Sequence, residues 1–206
     1  MDCPLVCPSC GALGTPAEDH YAALGVERKL DLDSRDLRKR YLDLSRRLHP
    51  DRQPPGNDAA RRRAEELTAE LNKAYKVLSR PESRAADWLA KRGVALREDK
   101  GALDPAMAER SLEIQEAIES KTGGKGDGGR GKEILVAMRK EVETVVGQAR
   151  GTLERLMKDP EISEPGGLDK LKDALVRLRF LDRQALNLDA SLGALRSPPR
   201  AAGGES

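Results

Sequence analysis

Apolar residues recur at alternating spacings of three and four on both sides of a short polar stretch near residue 50. This spacing is typical of amphipathic helices that each bury one stripe of side chains. The pattern predicts an antiparallel helical hairpin whose loop contains His49, Pro50 and Asp51. Because Pro50 has no amide proton and disfavours helical geometry at the residue before it, we expect the first helix to end at about Leu48. The two stripes are Leu37, Tyr41, Leu44 and Leu48, and then Ala64, Leu67, Leu71, Ala74 or Tyr75, and Leu78.

Capping signals place shorter helices around this hairpin. Gly25 is suited to end a first short helix, and another is predicted from about residue 81 to residue 92, where Gly93 closes it. Residues 18–93 are therefore predicted to form one helical domain. Its N-capping side chains are Asp19, Asp33, and Asn57 or Asp58.

Three further helical patterns follow in the second half of the chain. Asp104 and Pro105 form a start signal for the first, and two long apolar stripes run over residues 134–156 and 168–195. Since neither long stripe is stable in water alone, we predict an antiparallel three-helix bundle over residues 104–196. Residues 121–132 contain six glycines and are predicted to be a flexible linker, and residues 197–206 a disordered tail.

Two apolar residues of the bundle lie off these stripes. Leu112 is about 160° around its helix from Ile114, and Phe180, the only phenylalanine, is similarly far from the stripe of the last helix. Single exposed apolar residues are common, but such a residue can also present a second surface to a partner. We expect Phe180 to be either exposed or covered by the first bundle helix beside Leu112.

Composition favours an all-α fold. The 206 residues contain only one Trp, three Tyr and one Phe, so the core must consist mainly of aliphatic side chains. A leucine-rich, highly charged chain with few strand-forming residues is typical of helical proteins. No apolar run approaches the length of a membrane span and no signal peptide is evident at Met1, so we expect a cytoplasmic protein that does not bind a membrane.

Charge is balanced overall but not locally. Lys and Arg total 37 against 35 Asp and Glu, which gives no support for nucleic-acid binding. Residues 34–52, however, carry seven basic and three acidic side chains. A basic helix that leads directly into His49 is suited to docking an acidic protein partner.

All three cysteines lie in a short N-terminal segment, residues 1–17. Cys7 and Cys10 have the Cys-x-x-Cys spacing that lets two thiolates reach one zinc ion, and Cys3 is a candidate third ligand. No fourth ligand is evident, and the nearest nitrogen donor, His20, can equally belong to the helix that follows. Three interpretations stay open: a structural zinc site, an incomplete remnant of one, and a redox pair.

The basic helix, the His49-Pro50-Asp51 loop and the preceding sequence Asp19-His20-Tyr21-Ala22-Ala23-Leu24-Gly25-Val26 resemble the J-domain of DnaJ-type co-chaperones. A J-domain followed by a three-helix bundle in about 200 residues resembles, more narrowly, the HscB-type co-chaperones of iron-sulfur cluster biogenesis. Two tracts of the bundle carry this more specific resemblance to the HscB-type family. They are Leu112-Glu113-Ile114-Gln115-Glu116 and Leu178-Arg179-Phe180-Leu181-Asp182.

This resemblance implies a function and its residues. In the family, the J-domain engages a DnaK/HscA-type ATPase chaperone and the bundle holds the IscU-type scaffold protein. The implied protein is an adaptor that delivers the scaffold and stimulates the chaperone's ATP hydrolysis, with no required cofactor beyond a possible structural zinc. The implied chaperone-binding residues are Arg38, Lys39, Arg46, Arg47, His49, Pro50 and Asp51; the implied scaffold-binding residues are Leu112, Glu113, Glu116 and Phe180.

Two departures from the family keep an alternative open. Ala108 and Glu109 stand where large apolar side chains are expected, which leaves room for a J-domain co-chaperone with a different client. Relatives with an N-terminal zinc module carry four cysteines there, whereas this chain carries three.

Other functional classes fit poorly. An enzyme that used His49 and Asp51 as acid and base would lack a nucleophile, a phosphate-binding loop and a complete catalytic metal set. A zinc-dependent nucleic-acid binder would lack a second cysteine pair and stacking aromatic residues. We therefore predict a protein that is not an enzyme and binds no nucleic acid.

Overall fold

A computed structural model describes residues 5–7, 10–17, 19–53, 56–96, 105–122 and 128–194. Within these ranges the chain forms seven α-helices and one short 3-10 helix and has no strand longer than an isolated bridge, so the predicted all-α fold is confirmed. The chain divides into two compact units. The first comprises Met1–Ala95 with Leu156–Leu168, and the second Leu96–Arg155 with Asp169–Ser206.

The first unit contains four α-helices: α1 (His20–Leu24), α2 (Ser34–Leu48), α3 (Asp58–Leu78) and α4 (Pro81–Ala90). The predicted caps are confirmed. The Asp19 carboxylate accepts hydrogen bonds from two amides of α1 at 2.8 and 2.9 Å, and Gly25 ends that helix in the left-handed conformation. Asp33 and Asn57 cap α2 and α3 in the same way, because a short polar side chain can satisfy the free amides of a first turn.

The hairpin of α2 and α3 holds the core of this unit. Both predicted stripes are buried except at the half-buried Tyr41, and each fully buried leucine contributes about 1.5–3 kcal/mol to stability. Tyr41 and Tyr75 stack with ring centroids 4.1 Å apart, and the Tyr41 hydroxyl donates to Asn72 Oδ1 at 2.9 Å. Close to the end of α2, Thr68 Oγ1 donates to the Leu48 carbonyl at 3.4 Å. These contacts fix the level at which α2 ends against α3.

Helix α4 ties α1 to the hairpin. The buried Arg84 guanidinium donates to the Leu78 carbonyl at 2.6 Å, which satisfies a backbone acceptor at the end of α3. Trp88 meets Tyr21 of α1 edge to face at 6.2 Å between ring centroids, and the Arg92 guanidinium lies 3.6 Å above the Trp88 ring. Buried aromatic and cation-π contacts of this kind add to the packing of aliphatic side chains.

The N-terminal segment belongs to the first unit. Leu5 and Val6 are buried, and Val6 pairs with Leu13 in an isolated antiparallel bridge. Two contacts tie the segment to α3: Arg63 donates to the Gly14 carbonyl at 3.2 Å, and the Ala17 amide donates to the Glu70 carboxylate at 2.7 Å.

The second unit contains α5 (Pro105–Thr122), α6 (Gly128–Leu156) and α7 (Pro165–Ala194). Two ion pairs show that α6 and α7 run antiparallel: Arg139 lies 2.7 Å from Asp189, and Arg150 lies 3.7 Å from Asp182. Most of the predicted stripe positions are buried, including Leu135, Val142, Ala149 and Leu153 on α6 and Leu171, Leu175, Leu178, Ala185 and Leu188 on α7. Ile114 of α5 is buried as well.

The structure corrects the predicted linker over residues 121–132. Its first two residues are the last of α5, and α6 already begins at Gly128, so only residues 123–127 lie outside the described ranges. A glycine in a helix costs about 1 kcal/mol relative to alanine. A long helix anchored by buried side chains from Leu135 onward can absorb that cost in its first turns.

The connection from α6 to α7 clusters with the first unit, although it lies within the sequence predicted to be the bundle. Met157 and Ile162 of this connection are buried. A Cβ at Gly167 would lie 2.5 Å from the Glu161 carbonyl oxygen, so only glycine fits this close approach. The predicted tail over residues 197–206 lies outside the described residues. None of the described helices is both long and apolar enough to cross a membrane.

His20 makes the stability of the first unit dependent on pH. Its Nε2 lies 3.7 Å from Asp87 Oδ1 of α4. Burial lowers the pKa of His20 below its ordinary value of 6.5, while Asp87 opposes the shift and Lys91 adds to it. As the pH falls below 6.5, the unfolded chain therefore binds this proton before the folded chain does. Stability decreases with falling pH until His20 is protonated in the folded state as well.

We predict that His20→Gln removes part of this pH dependence. The measurement is the midpoint of urea unfolding at about pH 8 and at about pH 5.5. Unfolding is monitored by the fluorescence of Trp88, the single tryptophan. The wild-type midpoint should fall further between the two conditions than that of His20→Gln. His49→Gln, which removes the other histidine from an exposed position, should retain the wild-type fall. Equal falls in wild type and His20→Gln would show that His20 is not responsible.

Candidate functional site

The His-Pro-Asp turn comprises His49 and the 3-10 helix Pro50–Arg52, directly after α2. His49 leaves the helix with φ −58° and ψ 130°, as the following proline requires. Its Nδ1 accepts a hydrogen bond from the Asp51 amide at 3.2 Å, so the imidazole caps the short helix. The Arg52 amide closes the turn by donating to the His49 carbonyl at 3.0 Å.

This cap determines what the imidazole offers to a partner. Because Nδ1 accepts from the backbone, the proton of the neutral ring lies on Nε2, which is left as a donor. The side chains of His49 and Asp51 are 58% and 78% exposed. A preformed turn thus presents one hydrogen-bond donor and one carboxylate to solvent, and the carboxylate is suited to a charge-assisted bond with a cationic group.

The predicted basic residues of α2 lie next to this turn in sequence and are mostly available. Arg38, Lys39 and Arg46 are exposed, and within the described residues none of them forms an ion pair. Arg47 is half-buried and pairs with Asp43 at 3.0 Å, one turn earlier on the same helix. Three of the four predicted cations therefore present free charge, whereas the charge of Arg47 is partly neutralised.

Sequence reasoning did not single out the residues that position the turn. Thr68 and Asn72 of α3 bond to Leu48 and Tyr41 of α2, and α3 also packs against the 3-10 helix. Both lie beside the buried stripe of α3, at a helical phase that faces a neighbouring helix. Their place next to the Leu67 and Leu71 stripe is the signal that could have identified them.

The predicted scaffold-binding residues divide between an exposed and a buried group. Leu112 is 60% exposed, and Glu113 and Glu116 are exposed beside it on α5. Phe180 is only 8% exposed, so of its two predicted placements the exposed one is excluded and the one covered by the first bundle helix remains. We name the exposed group, Leu112, Glu113 and Glu116, the Leu112 face.

The surroundings of Phe180 indicate why it is buried. Gln184, one turn further along α7, is also buried and lines a cavity of about 340 Å³ between α5 and α7. Ile114 and Ile118 of α5 line the same cavity. Residues four apart on a helix share a face, so Phe180 lies on the side of α7 that meets α5.

The cysteine segment forms a tight turn. The Gly11 amide donates to the Cys7 carbonyl at 3.0 Å, the Cys7 amide donates to the Ala12 carbonyl at 2.9 Å, and Gly11 has a positive φ of 73°. Cys7 is half-buried and Cys10 is exposed. Cys3 lies outside the described ranges, and among the residues described no three metal-ligating side chains cluster. His20, considered as a fourth ligand, lies in α1 beside Asp87 instead.

Comparison with known proteins agrees with this geometry. Residues 19–86 match the family model of the DnaJ domain. Over 176 residues the chain is 28% identical to the co-chaperone protein HscB homolog of Bordetella pertussis, which covers 85% of this chain and 96% of that protein. The HscB homolog of Vibrio vulnificus is 26% identical over 164 residues, covering 79% and 90% of the two chains.

Two solved structures share the fold. Chaperone HscB from Vibrio cholerae superimposes with a TM-score of 0.63 at 21% identity, covering 86% of this chain and 99% of that one. Human co-chaperone protein HscB superimposes with a TM-score of 0.68 at 20% identity, covering 90% and 89%. The DnaJ domain match contains α1, α2, the His-Pro-Asp turn and α3, and the HscB relatives extend over both units. The chain therefore contains a DnaJ domain and is similar over both of its units to the HscB co-chaperones.

Proposed function

We propose that this co-chaperone binds an IscU-type iron-sulfur scaffold protein, delivers it to a DnaK/HscA-type ATPase chaperone and stimulates that chaperone's ATP hydrolysis. The proposal rests first on the His-Pro-Asp turn. A capped 3-10 helix holds the His49 imidazole and the Asp51 carboxylate outside the helical ladder and exposed. These two groups and the free cations of α2 are suited to an acidic partner that also offers a cation.

The Leu112 face supports the second half of the proposal. A leucine that is 60% exposed beside two carboxylates contributes little to the core of its own unit. Buried at an interface, the same side chain would contribute the free energy of its transfer from water. Phe180, which is buried, would act by packing beneath the face or would become accessible only on binding.

A different client is the second candidate. Glu109 is exposed on α5 where the family resemblance leads us to expect an apolar side chain. A charged residue at that position favours a partner with a more basic or more polar surface. The two candidates differ in whether the scaffold increases the chaperone's response to this protein.

We also propose that Cys3, Cys7 and Cys10 hold a structural zinc ion together with one further ligand. The Cys-x-x-Cys spacing of Cys7 and Cys10 supports this proposal, because it lets two thiolates reach one zinc ion, and the Gly11 amide closes a turn onto the Cys7 carbonyl between them. Zinc bound here would stabilise the N-terminal segment by cross-linking it.

We predict that His49→Gln reduces stimulation of the chaperone's ATPase activity about tenfold or more. Loss of a hydrogen bond to a charged group costs about 1.5–3 kcal/mol, which corresponds to a factor of about ten or more. The measurement is steady-state ATP hydrolysis by the chaperone with saturating co-chaperone, with and without IscU-type scaffold. Wild-type protein should stimulate, and should do so synergistically with the scaffold.

The other outcomes separate the candidates. If stimulation depends on His49 but the scaffold adds nothing, the bundle serves a different client. If wild-type protein does not stimulate, the chaperone-binding role is wrong. An unchanged urea midpoint of Trp88 fluorescence in His49→Gln shows that the variant is folded, so that a loss of stimulation reports on the turn itself.

We predict that Leu112→Ala weakens scaffold binding at least about tenfold, because removing a leucine from a buried contact costs about 1.5 kcal/mol or more. Isothermal titration calorimetry with purified scaffold measures the effect. Leu186→Ala is the matched control, since Leu186 is 67% exposed on α7 and the substitution is the same. Equal affinities for Leu112→Ala and wild type would exclude the Leu112 face as the binding surface.

We predict that the full chain, purified from zinc-containing medium, carries one zinc ion per molecule in native mass spectrometry. Replacing Cys7 or Cys10 by serine should remove the ion, and Cys3→Ser should do so if Cys3 is the third ligand. If the wild-type protein carries no zinc, the cysteines are instead an incomplete remnant of a zinc site or a redox pair.

A further inference from the structure

Three consecutive arginines lie near the start of α3, at positions 61 to 63. Cations near a helix N-terminus are unfavourable because the helix dipole places positive partial charge there. The charge of Arg63 has partners, because its guanidinium donates to the Gly14 carbonyl and pairs with the Glu66 carboxylate. Arg61 and Arg62 are both exposed, and within the part of the chain that the structure describes neither side chain forms a hydrogen bond or an ion pair.

Helical phase separates the directions of these arginines. Arg61 lies seven residues before Thr68 and eleven before Asn72, so the three side chains share one direction to within about 20°. Thr68 and Asn72 bond to Leu48 and Tyr41 of α2, which shows that this flank of α3 faces α2. Arg62 points about 100° away from Arg61, on the opposite side from the buried Ala64 stripe.

Arg61 lies near the end of α3 that is close to the C-terminal end of α2. Thr68 marks the level of Leu48, the last residue of α2, and Arg61 lies about 10 Å further along the axis of α3. The His-Pro-Asp turn starts at the level of Leu48 and packs against α3. Arg46 precedes this turn in the last helical turn of α2 and Arg52 ends it, and both are exposed without an ion pair among the described residues.

We propose that Arg61 is an additional docking residue for the acidic surface of the ATPase chaperone. It continues the basic surface of α2 across the turn and onto α3. The inference rests on the proposed function, since the partner is the same chaperone. Arg61 contributes to affinity and approach, whereas His49 and Asp51 act on the chaperone once it is bound.

This assignment has a kinetic signature. A charge at the edge of an interface changes association and its salt dependence more than it changes the bound state. Reversing the charge of Arg61 should therefore raise the co-chaperone concentration for half-maximal ATPase stimulation and leave the plateau unchanged. Because salt screens exposed charges, the effect should shrink as ionic strength rises. A carboxylate in the first turn of α3 is favoured by the helix dipole, so the variant should fold.

The experiment compares Arg61→Glu with Arg62→Glu, a matched control with the same charge change one residue away. Chaperone ATPase activity is measured against co-chaperone concentration at low and at high salt. At low salt we expect Arg61→Glu to shift the midpoint about three- to tenfold and Arg62→Glu to lie close to wild type. Trp88 fluorescence confirms that both variants are folded.

Two results would overturn the inference: a curve for Arg61→Glu that superimposes on wild type, or equal shifts for the two variants, which would mean that only net charge matters. A reduced plateau for Arg61→Glu would also contradict a docking role. His49→Gln is measured in parallel, because its loss of stimulation tests the proposed function independently of the inference about Arg61. If His49→Gln loses the plateau while Arg61→Glu behaves as wild type, only the inference about Arg61 fails.

Discussion

The burial of the leucine stripes between α2 and α3 is the interaction on which the first unit depends. It sets the two helices antiparallel and fixes the level at which α2 must end. Pro50 then acts at that level: it removes a helical amide and forces His49 out of the ladder. The imidazole becomes the cap of the next short helix and is exposed as a result. The exposed His-Pro-Asp turn is therefore a consequence of how the hairpin ends.

The two units use exposed side chains of different chemistry. The first surrounds its turn with cations, several of which have no counter-ion among the described residues. The second exposes a leucine flanked by carboxylates on α5. Neither arrangement adds much to the stability of its own unit, because exposed charges interact weakly in water and an exposed leucine buries little apolar surface. Two surfaces of such different character support the proposal of an adaptor between two unlike partners.

Most helix boundaries and caps could be predicted from the sequence because they depend on neighbouring residues. Asp19, Asp33 and Asn57 cap as expected, and α2 ends at Leu48. The outward direction of Leu112 also followed from its helical phase relative to Ile114. The glycine-rich stretch was predicted less well. Local propensity opposes a helix there, but the buried side chains of α6 extend the helix back to Gly128.

The sequence by itself thus determined the helices of the first unit, the caps of α1, α2 and α3, the position of His49 outside the helical ladder and the outward face of α5. Only the tertiary structure decided that Phe180 is buried, that the connection from α6 to α7 clusters with the first unit, and which flank of α3 faces α2. Backbone conformation and helical period depend on residues within a few positions of each other. Which face of a helix is covered depends on side chains that are distant along the chain and meet only when the unit packs.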